Sequence, residues 1–232
     1  MKNILILGAT NKIGINIAKY FNCENNKIIL TGSNLNSIKK YKDILNDDNI
    51  LYEVLNFLDC DEKIIDEFLR KFEKFDYIYL VGAFTPNNQL KLNENEISET
   101  IKINYEFYIN FLNFLNKNEK LKDTHLILIS SIAVSKSRKN NTLYGSNKIA
   151  MEFYIEGLRD YNSTFNFKTS IYKLGFLNNY RYNVGNKKFF PAADCKKVAK
   201  YIYTNRDKEK NIYYPLYWNI IALALKILPK KI

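Results

Sequence analysis

The chain has 232 residues, 47% hydrophobic and 15% aromatic, which suits one α/β domain with a substantial core. No run of 18 apolar residues occurs, so no helical membrane span is expected. Cys23, Cys60 and Cys195 are too scattered, and odd in number, for a disulfide framework or zinc site, which points to a reducing, cytoplasmic setting. The net charge of +11 reads as solvated surface and not as a nucleic-acid patch, because only five of the 35 basic residues are arginine and the lysines are dispersed.

Strand and helix signals then alternate along the chain. "NILILG" (3–8) reads as a buried strand and "IGINIAKYFN" (13–22) as a helix. "NKIILTG" (26–32) is a second strand, and "SNLNSIKKYKDIL" (33–45) a helix opened by a Ser/Asn cap. "ILYEVLNFLD" (50–59) contains a third strand, and residues 59–75 form a helix capped by Asp59. "DYIYLVGAF" (76–84) is the fourth strand, followed by one long helix over 97–118. "THLILISSIAV" (124–134) is the fifth, with the single histidine, His125, at its mouth and outside the chemistry. A helix over 143–162 leads to the sixth strand, "KTSIYKLGFL" (168–177). An irregular loop, a helix (191–205), a short strand (211–216) and a final apolar helix complete the chain. This alternation predicts an α/β fold, a Rossmann-like doubly wound parallel sheet with helices on both faces. Residues 1–232 are expected to form one domain, with no linker, repeat or N-terminal signal segment.

In such a sheet a dinucleotide lies beyond the carboxyl ends of the strands. The first turn, "LGATNKIGIN", ends the strand at Gly8 and opens the helix at Gly14, with Thr10, Asn11, Lys12 and Ile13 between them. Helix-start N–H groups suit phosphate there, although these residues alone fit a tight turn in another α/β protein equally well. After the second strand come Ser33 and Asn34 in place of the acid that usually bonds the NAD ribose. Nothing repels a 2′-phosphate, and Lys12 or Lys39 is available to approach it, so NADP is favoured over NAD.

Tyr144 and Lys148 form Tyr-x-x-x-Lys at the start of the helix after the fifth strand. Ser131 lies thirteen residues before Tyr144, and Asn104 forty residues before it. This set, behind a turn spaced like Gly8 to Gly14, resembles the short-chain dehydrogenase/reductase family, in its short single-domain branch. The resemblance implies an NAD(P)-dependent oxidoreductase interconverting a carbonyl and a secondary alcohol. It implies that Tyr144 is the acid/base and that Lys148 lowers the phenol's pKa and binds the nicotinamide ribose. It further implies that Ser131 holds the substrate oxygen and that Asn104 holds a water linking Lys148 to solvent. An isolated phenol, with pKa about 10, is a poor base at neutral pH, and a nearby ammonium favours its ionised form.

Several positions depart from the family's pattern. Lys12 stands at the second glycine of the turn, and Leu80-Val81-Gly82-Ala83 replaces Asn-Asn-Ala-Gly after the fourth strand. Gly82 and Ala83 keep the backbone close to the nicotinamide ribose. Asn56, beside Phe57, stands where an acid contacts adenine, and Leu174-Gly175 where Pro-Gly follows the sixth strand. These affect cofactor choice more than proton transfer.

The substrate loop is expected over 176–191, with Arg181, Lys187 and Lys188 pairing a phosphate or carboxylate; a solvated mobile lid fits the same composition. The tail at 216–232 resembles a subgroup some of whose members reduce sugars or lipid-linked sugars. It is too short to span a bilayer and reads three ways: a peripheral contact with an anionic membrane, a cover for the sheet edge, or a contact with a partner subunit. Apolar residues on the helices bearing Ile109 and Phe153 predict a homodimer or higher homo-oligomer. The rival function is a non-catalytic dinucleotide-binding sensor or partner-binding protein of the same fold.

Overall fold

The computed structural model describes residues 1–34, 36–37, 45, 48–86, 91–139, 141–162, 166–178 and 192–227. Seven parallel strands form one sheet: β1 (Asn3–Leu7), β2 (Lys27–Gly32), β3 (Ile50–Val54), β4 (Tyr77–Leu80), β5 (His125–Ser131), β6 (Lys168–Leu174) and β7 (Asn211–Tyr214). Their order across the sheet is β3-β2-β1-β4-β5-β6-β7, and every neighbouring pair is parallel. The direction of winding reverses between β1 and β4, which opens a crevice at their carboxyl ends.

Among the described residues the α-helices are α1 (Lys12–Asn22), α2 (Glu62–Leu69), α3 (Glu94–Ile101), α4 (Phe107–Lys117), α5 (Thr142–Tyr161), α6 (Cys195–Thr204) and α7 (Tyr217–Ile227). Both sheet faces are covered, so the central strands are apolar on both sides. Along β1, Ile4 and Ile6 pack with Ile17 and Phe21 of α1 and Val198 and Ile202 of α6. Leu5 and Leu7 face the other way, toward Phe68 of α2, Phe111 of α4 and Met151 and Ile155 of α5.

The structure corrects three boundaries. Helix α2 is capped by Asp61, whose side chain accepts from the Ile64 N–H at 2.9 Å; Asp59 instead takes the Asn56 amide. The expected single helix over 97–118 starts earlier, behind Asn93 and Glu96, which cap each other reciprocally. It also contains a π-helical turn, Lys102–Glu106, between α3 and α4. Helix α6 begins at Cys195, where Asp194 accepts from the Lys196 and Lys197 amides. The helix expected over 33–45 lies largely outside the described residues.

His125 opens β5 at the edge remote from the crevice, and its Nε2 lies 2.9 Å from Ser170 Oγ. Burial pushes its pKa down to about 4. No helix among the described residues is long and apolar enough to cross a membrane.

Candidate active site

At the crevice, β1 and β4 nearly touch. A Cβ on Gly8, whose φ is +74°, would lie 2.3 Å from Gly82 Cα, so both positions require glycine's bare backbone. A Cβ on Gly14 would lie 2.9 Å from Ala9 Cα, which keeps the start of α1 close to the strand end. Asn11 ties the turn together. Its Oδ1 accepts from Gly14 N–H at 2.9 Å, and its Nδ2 donates to the Gly8 and Val81 carbonyls at 3.1 Å each. Thr31 Oγ accepts the Gly8 N–H at 3.0 Å. Asn11 and Thr31 thus shape the turn. Ile13 is buried in the core, Thr10 is half-buried and Lys12 is exposed.

After β2, Ser33 and Asn34 are both exposed. Asn34 Oδ1 accepts from Ser37 N–H at 2.8 Å, and its Nδ2 reaches Ser33 Oγ at 3.3 Å. After β3, the Asn56 amide is held by Asp59, and Phe57 stacks on Phe107 with ring centroids 3.8 Å apart. Ala83 is exposed beyond Gly82, whose carbonyl accepts the Tyr108 hydroxyl at 2.8 Å.

The Ser/Tyr/Lys group gathers at the carboxyl end of β5. Ser131 ends the strand, and its Oγ accepts from Ala133 N–H at 3.2 Å, opening a 3-10 turn over Ile132–Ser135. The first turn of α5 presses on that turn: a Cβ on Gly145 would lie 3.1 Å from the Ala133 carbonyl oxygen. Tyr144, next to Gly145, is thereby carried to the Ser131 end of the sheet. Lys148 is 1% exposed; its Nζ donates to the Ile129 carbonyl at 3.4 Å and lies 5.8 Å from the Tyr144 ring centroid. Burial pushes the Lys148 pKa down to about 8, and the Glu152 charge opposes that shift.

Asn104 sits fully buried in the π turn. Its Oδ1 accepts the Phe84 N–H at 3.1 Å, and its Nδ2 donates to the Phe84 and Thr100 carbonyls at 2.7 and 2.8 Å. Both amide hydrogens are used on backbone. The π turn, with Phe107 N–H reaching Lys102 O, takes its backbone off the regular α-helical ladder beside the site.

Sequence reasoning missed Glu152 and Trp218. Trp218 of α7 is 4% exposed and lies on Gly175, where a Cβ would fall 1.8 Å from its Cε2; Gly175 thus makes room for an indole. Periodicity could have flagged Glu152, an acid one turn beyond Lys148 on the same helix face. Arg181, Lys187 and Lys39 lie outside the described residues.

A family model described as short chain dehydrogenase matches residues 2–178. The chain belongs to the short-chain dehydrogenase family. The "Dehydrogenase/reductase SDR family protein 7-like" of Dictyostelium discoideum is 26% identical over 189 residues, spanning 76% of this chain and 59% of that relative's length. Two solved structures share the fold. One is an alcohol dehydrogenase from Thermococcus sibiricus complexed with 5-hydroxy-NADP, with TM-score 0.77, 17% identity and coverage of 92% of this chain and 95% of that one. The other is ElxO with NADP bound, with TM-score 0.78, 19% identity and coverage of 92% and 97%.

Proposed function

We propose that this short-chain dehydrogenase is an NAD(P)-dependent oxidoreductase that interconverts a carbonyl and a secondary alcohol, with Tyr144 as acid/base. The observation that carries this reading is Lys148, a fully buried ammonium one helical turn from Tyr144 whose single hydrogen bond among the described residues is the 3.4 Å contact to Ile129. A buried cation with two unused N–H groups is costly unless a ligand or phenolate completes it. Cofactor ribose hydroxyls and the Tyr144 oxygen suit that role. The cradle also fits a dinucleotide: Gly8 and Gly82 leave no side chain between the β1 and β4 ends, and α1 points its N-terminus there.

When bound, the nicotinamide supplies or accepts the hydride. In the reductive direction Tyr144 Oη gives its proton to the substrate oxygen, and Lys148 stabilises the phenolate left behind. Ser131 holds that oxygen in line with Tyr144. Asn104, whose carboxamide also fixes the strand-end backbone through Phe84, holds the water leading to Lys148.

NADP is preferred, because the exposed Ser33 and Asn34 present no carboxylate to the 2′-phosphate. The substrate is a keto-sugar or lipid-linked sugar of glycan biosynthesis, gripped by Arg181 and Lys187. The protein works in the cytoplasm as a homodimer through α5, where Phe153 is 80% and Ile149 50% exposed. Helix α7 covers the end of the sheet through Trp218 and Ala222, and its outward face, with Ile220 and Ile227 each 73% exposed ahead of Lys230 and Lys231, is left for a partner subunit or, as the second reading, an anionic membrane. The test is NADPH binding by protein fluorescence, followed by NADPH oxidation with a panel of keto-sugars and keto-lipids. Binding without turnover on any ketone would favour the sensor reading, and no binding would remove both.

A further inference from the structure

Behind Lys148 lies a half-buried ionic group that the proton-transfer set does not use. Glu152 is one turn beyond Lys148 on the same face of α5, with its side chain 12% exposed. Both carboxylate oxygens are engaged: Ser130 Oγ donates to Oε1, and Lys173 Nζ lies 3.3 Å from Oε2. Ser130 of β5 and Lys173 of β6 are register partners, so Glu152 spans two adjacent strands. Ser130 follows Ile129, whose carbonyl takes Lys148, and precedes Ser131. Three consecutive β5 residues therefore hold Lys148, its acidic neighbour and the strand-end turn.

We propose that Glu152 is a positioning residue that places a fixed negative charge one helical turn behind the Lys148 ammonium, with Ser130 and Lys173 fixing its carboxylate. This rests on the reductase reading above for its catalytic meaning. The groups facing the pair come from every element around it. Tyr144 and Glu156 lie on α5, Ser130 and the Ile129 carbonyl on β5, Lys173 on β6, Tyr213 on β7 with its ring 5.3 Å from Lys173 Nζ, and Tyr108 on α4, whose phenol interacts electrostatically with that of Tyr144. Among these, Glu152 is the negative charge that acts on Lys148. Burial pushes the Glu152 carboxyl up, while the Ser130 hydroxyl and the Lys173 ammonium pull it back toward the ionised form. A largely desolvated Glu–Lys pair by itself adds little stability over apolar residues of the same shape, so stability alone does not explain it.

The test reads Lys148 directly, without a substrate. Protein labelled with 13C at lysine Cε is titrated by NMR, with the Lys148 signal assigned by its loss in Lys148→Ala. Glu152→Gln keeps the shape and the Ser130 hydrogen bond but removes the charge; the Lys148 titration is expected to fall by about one pH unit. Glu152→Asp keeps the charge and is expected to leave it near the wild-type position. A purely structural role predicts the reverse ranking, with the isosteric Gln the milder change. An unmoved titration in Glu152→Gln overturns the proposal. Should that variant not fold, Glu152→Gln/Lys173→Met removes both charges; the lost ammonium partly offsets the lost carboxylate, so the expected shift is still downward but smaller, and an unmoved titration there too overturns the proposal. Ketone turnover is measured alongside: a wild type inactive on every ketone counts against the reductase reading, while the NMR result still decides the Glu152–Lys148 coupling.

Discussion

Asn104 grips one backbone residue from both sides: its Oδ1 accepts the Phe84 N–H at 3.1 Å and its Nδ2 donates to the Phe84 carbonyl at 2.7 Å. The segment leaving β4 is thereby fixed to the helical layer just past Gly82 and Ala83, where the nicotinamide ribose is proposed to lie. Asn104→Leu leaves these backbone groups without their partner, and the expected loss is about 1–3 kcal/mol. Urea denaturation checks this, and an unchanged midpoint would contradict the anchoring role.

Two glycines separate close approach from helix propensity. A Cβ on Gly82 would lie 2.7 Å from the Phe57 ring and 2.8 Å from Tyr108 Oη, whereas Gly157, exposed on α5, has nothing within 4 Å. Gly82→Ala is expected to destabilise by about 1–3 kcal/mol through overpacking. Gly157→Ala is expected to stabilise by roughly 0.5–1 kcal/mol, because alanine loses less entropy in a helix interior. Thermal melts of the two variants should move in opposite directions.

Cofactor choice turns on the residues after β2. Ser33→Asp places a carboxylate where the ribose 2′ substituent is proposed to sit. It should reverse the preference from NADPH toward NADH by repelling the 2′-phosphate and accepting from the hydroxyl. Fluorescence titration of both cofactors decides it; a ratio of affinities unchanged from wild type would place the 2′ group elsewhere.

His125 makes stability depend on acid. Burial holds its pKa near 4 against an ordinary 6.5, so the unfolded chain binds the proton more readily. The stabilisation is fully present above pH 6.5 and is lost as pH falls toward 4, amounting to roughly 3 kcal/mol at most. Denaturant midpoints across this window should decline for the wild type and flatten for His125→Gln.

The strand–helix alternation was legible because strands buried on both faces, such as Ile4–Leu7, read as unbroken apolar runs. The spacing of Ser131, Tyr144 and Lys148 was legible because offsets along a strand and a helix survive folding. The π turn at Asn104 was not, since its i→i+5 geometry leaves the apolar periodicity of the flanking helices nearly intact. Nor was the cap at Asp61, because Asp59 and Asp61 are equally good caps by residue type, and the local turn that commits Asp59 to Asn56, three residues earlier, is what decides between them. Glu152 and Trp218 were missed because their partners, Lys173 and Gly175, are distant in sequence.

Tyr144 and Lys148 stand or fall together on one comparison: Tyr144→Phe beside wild type, with NADPH affinity by fluorescence and ketone reduction by nicotinamide absorbance. Removing one hydroxyl should leave NADPH affinity within about twofold and lower kcat by about 10²–10⁴-fold, the range for a positioned acid–base group. A variant that keeps more than about a tenth of wild-type kcat would show that another group delivers the proton.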